Sequence, residues 1–594
     1  MNNRYLYRYR TRLTGLPLIL IKDEIGMDLK WVVTDETHVE EAKKLAHDLD
    51  ISYIAAKILC SRGIISPQQV EQFLNPSLDK LFDPFLIMGM KDGVNRIIKA
   101  LKENEKIMIY GDYDVDGITG TSLMFLVLNR LGADVSYYLP NRLIEGYGIS
   151  EDGLEEAEKR NVDLLISVDC GITAVEEVKI AKEKGISVII TDHHEPGAEL
   201  PLAEVIINPK LDSPDKPGYE LSAVGVAYKC SQALFRQLKQ DEYELEQHLD
   251  LVALGTAADI VPLIGENRIL TKFGLDQIAR TTKPGLKSLI FIAGIMGHKI
   301  GTGQVVFILA PRINAVGRLG DAQKAIKLLT TKDETQANAI ARVLNAENKR
   351  RKNIDEQTLN EALELIETTV DLSRDRAIVL SSPGWHQGVI GIVASRLVEK
   401  FNRPTVMIAI DGGEGRGSAR SISGFHLYEA LKECDEYLIR YGGHKYAAGL
   451  SISPSNIDKF REKLNQVSTK MLSSEDLVPK LKIDSELELE SINIELVEIL
   501  EKFAPFGPQN MRPVFATFNV EVVGTPHIVG SNHLKFKVRH GDCIFDCIGF
   551  GYGDFLRKLH NRPVYVDIAY VLEFNTWNGA NKIQLRIKDI RLSR

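Results

Sequence analysis

At 594 residues and 66.3 kDa, with 44% hydrophobic content, the chain is too long for one core, and length alone predicts roughly four domains. A formal charge of −8 argues against a protein that coats nucleic acid with a basic surface, so any nucleic-acid site must be a local groove. No apolar run reaches the ~20 residues that span a bilayer, and six cysteines with no paired framework point to a reducing compartment.

Residues 1–75 read as an N-terminal helical arm. Arg4, Arg8, Arg10 and Arg12 precede a short apolar stretch, Leu13 to Ile21, which imitates a secretory signal. Pro17 breaks it, and no small-residue cleavage site comes after it. Met27 offers an internal start, so residues 1–26 read as a start-site artefact or an appendage, and the compartment as cytoplasm. Further on, Ser66-Pro67 marks a helix start. Residues 76–320 carry a βα rhythm. Strands are predicted at 107–110, 135–139, 164–168, 188–191 and 205–207, with a helix over 119–131 closed by Gly132. Strands alternating with helices predict a doubly wound parallel sheet.

From 321 to 370 the chain is polar and helical, without Pro or Gly, and reads as a long connecting helix. Its basic run, Lys349 to Lys352, reads as a solvated face. Residues 371–470 form a second, smaller, glycine-rich α/β domain. Residues 480–594 alternate apolar and polar positions, as in Leu534 to Val538 and Ile583 to Ile587, with turns such as Asn578-Gly579. A small β-barrel of the OB type is expected there, with Cys543 and Cys547 as core thiols.

The strongest local signal is Asp112-Tyr113-Asp114-Val115-Asp116-Gly117, directly after a strand. Three carboxylates in five residues do not all ionise cheaply without a cation nearby. A calcium loop of the EF-hand type fails, because its twelfth position is Leu123 rather than Glu and a strand precedes it. A solvated acidic turn remains open on this segment alone. Two further strand ends change the balance: the 164–168 strand runs into Asp169, and the 188–191 strand into Asp192-His193-His194. In open α/β sheets ligands bind beyond the carboxyl ends of the strands, so these side chains can converge on one crevice. Asp259, in Gly255-Thr-Ala-Ala-Asp259, adds another acid. Hard oxygens with imidazoles suit Mn²⁺ or Mg²⁺ better than zinc. Two such ions clamp a phosphoryl group during in-line displacement, so the residues themselves predict a two-metal phosphoesterase.

The spacing of Asp112-x-Asp114-x-Asp116-Gly, Asp169, Asp192-His193-His194 and Asp259 resembles the DHH phosphoesterase superfamily. Gly442-Gly443-His444 resembles the glycine-glycine-histidine motif of its DHHA1 companion domain. Within the superfamily the chain is most similar to the RecJ branch, through Gly111–Gly120, Leu254–Leu263, Arg312–Arg318, Gly384–Gly391 and Gly424–His426. The resemblance covers most of the chain from about Trp31. It implies that Asp114, Asp116, Asp169, His193 and Asp259 ligate metal, and that Asp112 and His194 are ligands or groups that orient ligands. Where several small-substrate relatives carry a metal-binding His before the acidic run, this chain has Tyr110. The resemblance also implies a single-stranded-DNA-specific 5′→3′ exonuclease of DNA repair and recombination that releases mononucleotides. A helicase and a single-strand-binding protein are its implied partners, and a monomer is expected.

For the substrate, Arg312, Arg318, Arg396, Arg416 and Arg420 are phosphate-binding candidates, since guanidinium forks match phosphate oxygens. Gly415-Arg416-Gly-Ser418-Ala-Arg420 adds backbone N–H groups and a hydroxyl, and Gly442-Gly443-His444 has the same logic. His386 and His426 read as structural. Phe506, Phe536, Phe574 and Trp577 are candidates for base stacking, with Phe536 read as core and Trp577 as exposed. Two other functions stand beside the leading one: a phosphodiesterase for short oligonucleotides or cyclic dinucleotides, and a non-catalytic replication scaffold.

Overall fold

A computed structural model describes residues 29–34, 38–142, 144–319, 321–559, 563–575 and 582–593. Trp577 and the Asn578-Gly579 turn lie outside the described residues, as do residues 1–28. The chain forms two compact units: one holds residues 29–485 with 493–513, and the other residues 486–492 with the C-terminal 514–594.

In the larger unit a strand β1 (Lys30–Val33) is succeeded by short helices. Ser66 accepts from Gln69 N and caps the Pro67–Leu74 helix, as its Ser-Pro start predicts. The first sheet contains β2 (Lys106–Gly111), β3 (Asp134–Tyr138), β4 (Leu164–Val168), β5 (Ser187–Thr191) and β6 (Val205–Ile207). All are parallel, in the order β3-β2-β4-β5-β6. The strand periodicity explains why it is covered on both faces. Ile107 and Ile109 enter one core cluster while Met108 and Tyr110 enter the other, and β4 divides Ile166 from Leu165 in the same way. Each such fully buried aliphatic side chain contributes roughly 1.5–3 kcal/mol by its burial.

The helix after β2 begins earlier than the sequence predicts, at Val115 rather than 119, and runs to Arg130. Asp114 is its N-cap, taking Asp116 N (2.9 Å) and Gly117 N (3.2 Å) on Oδ1. The acidic turn is therefore the first turn of a helix. Gly117 leaves room for this return, because a Cβ there would lie 2.7 Å from the Asp112 carbonyl oxygen.

The polar stretch after residue 320 is also divided. A short helix, Gln323–Thr330, precedes a 36-residue helix, Glu334–Thr369, started by Asp333 capping Thr335 N and Gln336 N. Its basic run is not uniformly solvated, because Arg351 is buried beside Asn348. The second sheet has β7 (Ile378–Ser382), β8 (Thr405–Asp411), β9 (Glu414–Arg420), β10 (Leu438–Gly443) and β11 (Ala447–Ile452), ordered β10-β11-β9-β8-β7. Here β7–β8 is parallel and the other pairs are antiparallel. A strand β12 (Lys480–Ile483) pairs in parallel with β1.

The smaller unit takes up the chain at Glu486, the second residue of the two-residue strand β13 (Ser485–Glu486). Its barrel contains β14 (Phe515–Val529), β15 (His533–His540), β16 (Cys543–Phe550), β17 (Tyr565–Asn575) and β18 (Lys582–Leu592). β14 pairs with both β15 and β17, which closes the five-stranded circuit, and the β16–β18 pair is parallel. That is the OB arrangement expected from the alternating sequence. Phe536 and Cys547 lie in the core, as read, whereas Cys543 is half-buried.

Candidate metal centre

The carboxyl ends of β2, β4 and β5 face one crevice. Beyond β2 stand Asp112, Asp114 and Asp116, beyond β4 Asp169, and beyond β5 Asp192, His193 and His194; Asp259 joins them from the end of the Leu249–Ala258 helix. Three overlapping groups have ligand atoms within 4.8 Å of one another: Asp112 with Asp114 and Asp169, Asp116 with His193 and Asp259, and Asp169 with both histidines. Asp169 belongs to two of the groups. Its oxygen Oδ1 lies 3.1 Å from His193 Nε2, which is also 3.7 Å from Asp259 Oδ2 and 4.0 Å from Asp116 Oδ2.

Backbone donors hold these groups without neutralising them. Asp116 takes Ala223 N (2.7 Å) and Val224 N (2.9 Å), the first N–H groups of the Ala223–Gln237 helix. Asp192 is not a ligand of the ring. Its Oδ2 takes Ile172 N (3.0 Å), and its Oδ1 takes the His193 and His194 N–H groups and His194 Nδ1 (2.8 Å). Burial works against its charge, but the bond from His194 and both imidazoles hold its carboxyl below the usual range. Asp192 therefore orients the His194 imidazole and ties down the backbone of both histidines. Asp169 sits at φ +67°, a left-handed conformation that Asp tolerates.

Burial, then Asp114, pushes the Asp116 carboxyl up to about 7. Asp112, Asp169 and Asp259 are driven well above the carboxylate range by the same desolvation and by their acidic neighbours. His193 is pushed down to about 3 by burial and by His194, which leaves it neutral with a free lone pair. Asp112 Oδ1, Asp169 Oδ1 and His193 Nε2 are buried with no hydrogen-bond partner. Buried polar atoms are nearly always paired. Three unpaired atoms, shared among ligand groups that overlap at Asp169 and His193 and made of hard oxygens and an imidazole, fit a Mn²⁺ or Mg²⁺ cofactor. Tyr110 stands outside this group. Its side chain lies on the other face of the sheet, with its hydroxyl bonded to Gly148 O (3.2 Å) and Ser150 N (3.1 Å).

Opposite the acids, guanidinium groups gather. Burial and then Arg142, Arg351 and Arg420 lower the Arg318 pKa, with Asp114 opposing. Arg420 is lowered by burial and by Arg142, and binds Ser418 Oγ (3.1 Å). Gly391 makes room for this pair, since a Cβ there would lie 2.8 Å from Ser418 Oγ and 3.0 Å from Arg420 Nη2. His444 is lowered by burial, then by Arg420 and His194. Gly442 and Gly443 are exposed at the end of β10 beside it. Arg142, Arg351 and Arg420 thus act as like charges on Arg318, and Arg142 on Arg420, with Asp114 opposing at Arg318 and Asp355 at Arg351.

Other candidates lie elsewhere. Arg416 is exposed and bonds Gln387 Oε1 (3.3 Å). Arg312 is tied to Asn345 Oδ1 (3.1 Å) and Ile308 O, and Arg396 to Asp355 (3.2 Å). The rings of His386 and His426 cap helices by accepting Gly388 N and Glu429 N.

Sequence reasoning missed Arg142 and Tyr147, both in the loop beyond β3. Arg142 lies 5.0 Å from the Tyr113 ring centroid and lowers the cost of charging Asp112. Tyr147 donates to the Asp169 carbonyl (3.2 Å) and meets His194 Nδ1 (3.2 Å). The available signal was the strand-end rule itself, applied to Asn141-Arg142 and to the glycine-flanked Tyr147.

Fold and metal ring together define a DHH-type phosphoesterase. Residues 106–256 match the DHH family N-terminal domain, residues 374–470 the DHHA1 domain and residues 483–589 the RecJ OB domain. The single-stranded-DNA-specific exonuclease RecJ of Bacillus subtilis is 39% identical over 574 residues, covering 96% of this chain and 72% of that protein. The Escherichia coli protein of the same name is 35% identical over 556 residues, covering 90% and 95%. The crystal structure of Thermus thermophilus RecJ in complex with Mn²⁺ superposes with a TM-score of 0.82 at 31% identity, covering 95% of this chain and 79% of that one. A second structure of that protein, with Mg²⁺, gives 0.75. The chain belongs to the RecJ family, and it is a metal-dependent nuclease.

Proposed function

We propose that this chain removes mononucleotides from single-stranded DNA in the 5′→3′ direction by two-metal-ion hydrolysis. The observation that carries the reading is the set of buried, unpartnered atoms of Asp112, Asp169 and His193, with Asp169 common to the ligand group of Asp112 and to that of His193. In this reading Asp114, Asp116, Asp169, His193 and Asp259 are the metal ligands, and Asp112 and His194 are further ligands or groups that orient them. Two divalent ions bound there supply the charge that acidifies a water and steadies the phosphoryl oxygens. Arg318, Arg420, Ser418 and His444 grip phosphate from the opposite side, with Gly442 and Gly443 letting the backbone approach. In this reading Arg312 and Arg416 touch the strand further from the scissile bond.

The single-stranded substrate is the one in the names of the curated relatives. The direction, the role in repair and recombination, the cytoplasmic setting and partnership with a helicase and a single-strand-binding protein are part of the proposal, supported by the resemblance to the RecJ branch alone. The test is incubation with Mn²⁺ and three substrates: a long 5′-labelled single strand, a duplex and a dinucleotide. Labelled mononucleotide appearing first from the single strand supports the reading. Cleavage of the dinucleotide alone, or label retained until the last product, contradicts it.

A further inference from the structure

The stretch Asn493–Pro513 separates the second sheet domain from the barrel in sequence, yet it packs within the larger unit. Its centre, from Phe503 to Asn510, is folded back on itself. Asn510, 1% exposed, donates through Nδ2 to the carbonyls of Phe503 and Pro505, both at 2.8 Å. Gly507 and Asn510 also exchange backbone hydrogen bonds of 3.1 and 2.9 Å. Two arginines hold this buckle from outside. Arg268 Nη2 reaches the carbonyls of Lys502 (2.9 Å) and Ala504 (3.1 Å), and Arg62 reaches Met511 O (2.7 Å) and the Asn510 side chain.

The buckle grips Leu263, four residues beyond Asp259. Leu263 N donates to Pro508 O at 2.9 Å, and a Cβ on Gly507 would lie 2.6 Å from Leu263 Cδ1. Between Asp259 and Leu263 stands Ile260 at φ +64°. A β-branched residue keeps a left-handed backbone only where its surroundings hold it there. From the other side Asn267, 1% exposed, donates Nδ2 to Pro262 O (3.1 Å) and to Glu220 O. Glu220 is three residues before Ala223, whose N–H holds Asp116. One buried amide thus ties the Asp259 loop to the cradle of Asp116.

We infer that the Phe503–Asn510 buckle and Asn267 are positioning elements of the metal centre, which set the Asp259 carboxylate against Asp116 and His193. This rests on the reading of Asp259 as a metal ligand. Loosening the buckle therefore weakens binding of the ion beside Asp259, although no residue of the buckle touches it. Groups that orient metal ligands are worth about 10–100-fold in affinity.

The test uses the full chain and titrates Mn²⁺ calorimetrically into Gly507→Ala, Asn510→Ser and Asn267→Ser. Asp259→Asn serves as the benchmark, and Phe460→Leu, in the core of the second sheet domain, as an equally destabilised control. The expected result is a rise of about 10-fold or more in one Mn²⁺ dissociation constant for the positioning variants. Phe460→Leu leaves that constant unchanged, and excess Mn²⁺ restores nuclease activity to the positioning variants. Unchanged affinity in every folded positioning variant, with Asp259→Asn weakened, overturns the inference alone. Unchanged affinity in Asp259→Asn overturns the ligand reading and the inference with it.

Discussion

Replacing Asp169 by Asn has two effects of opposite sign. Asn tolerates the left-handed φ of +67° at this position and keeps the shape of the side chain, so the backbone is not the target. In the metal-free protein Asp169 is buried, and its carboxyl is driven well upward by desolvation and then by Asp114, Asp116, Asp112 and Asp259. Its ligand atom lies within 4.8 Å of those of Asp112 and Asp114. A charged pair at that separation costs about 3.5 kcal/mol at an effective dielectric of 20, and partial protonation relieves some of it. The substitution should therefore stabilise the chelated protein by about 1–3 kcal/mol at pH 7, read as a rise of a few degrees in Tm. The sign with pH is determined. An acid whose folded pKa lies above its unfolded value costs nothing below the unfolded pKa of about 4, and its cost grows as pH rises towards the folded pKa. The gain should thus vanish near pH 4 and be largest at neutral pH. With Mn²⁺ present the same variant should lose nuclease activity by more than the roughly 100-fold expected for a residue that only orients a ligand. Scanning calorimetry in a chelator and a nuclease assay in Mn²⁺ measure the two effects. A variant that is less stable without metal, or that keeps the wild-type rate with it, refutes the reasoning.

The same geometry sets three further outcomes. Arg420→Lys keeps the charge but loses the fork, and should raise KM by about 10-fold or more while kcat changes less; a pure kcat effect contradicts its place on the substrate. Tyr147→Phe removes the hydroxyl that meets Asp169 O and His194 and should weaken Mn²⁺ half-saturation by about 10-fold, with unchanged half-saturation contradicting an orienting role. Apparent Mn²⁺ affinity should rise as pH increases from 6 to 8, because Asp116, pushed up to about 7, and its raised neighbours must lose protons before they bind metal. A flat titration would show that these carboxyls are not the ligands.

Much of the catalytic sheet was legible because strand periodicity and turn residues are local signals. β4 and β6 have the predicted bounds, and Asp112, Asp169 and His193 were legible from their places just beyond strand ends. The helix after β2 was placed late because a cap is a side-chain event. Asp114 starts the helix by bonding two N–H groups, which its acidic spacing alone does not distinguish from a loop. Distance in sequence hid the rest. Nothing local marks Arg142 as a neighbour of Arg420, or Pro508 as the partner of Leu263. The arginines separated for a similar reason. Arg312 and Arg318 sit six residues apart on one helix, yet Arg312 is tied to Asn345 and Arg318 joins the cationic cluster. Residue type predicted phosphate binding for both, and only the fold shows that their partners differ.

If two ions bind in one ring, Asp169 is the residue that joins their sites. Anomalous diffraction at the manganese edge, from crystals grown with Mn²⁺, tests it most directly. Two peaks roughly 3.5–4 Å apart are expected, with the Asp169 carboxylate touching both. A single peak, or two ions with Asp169 bound to neither, would contradict it.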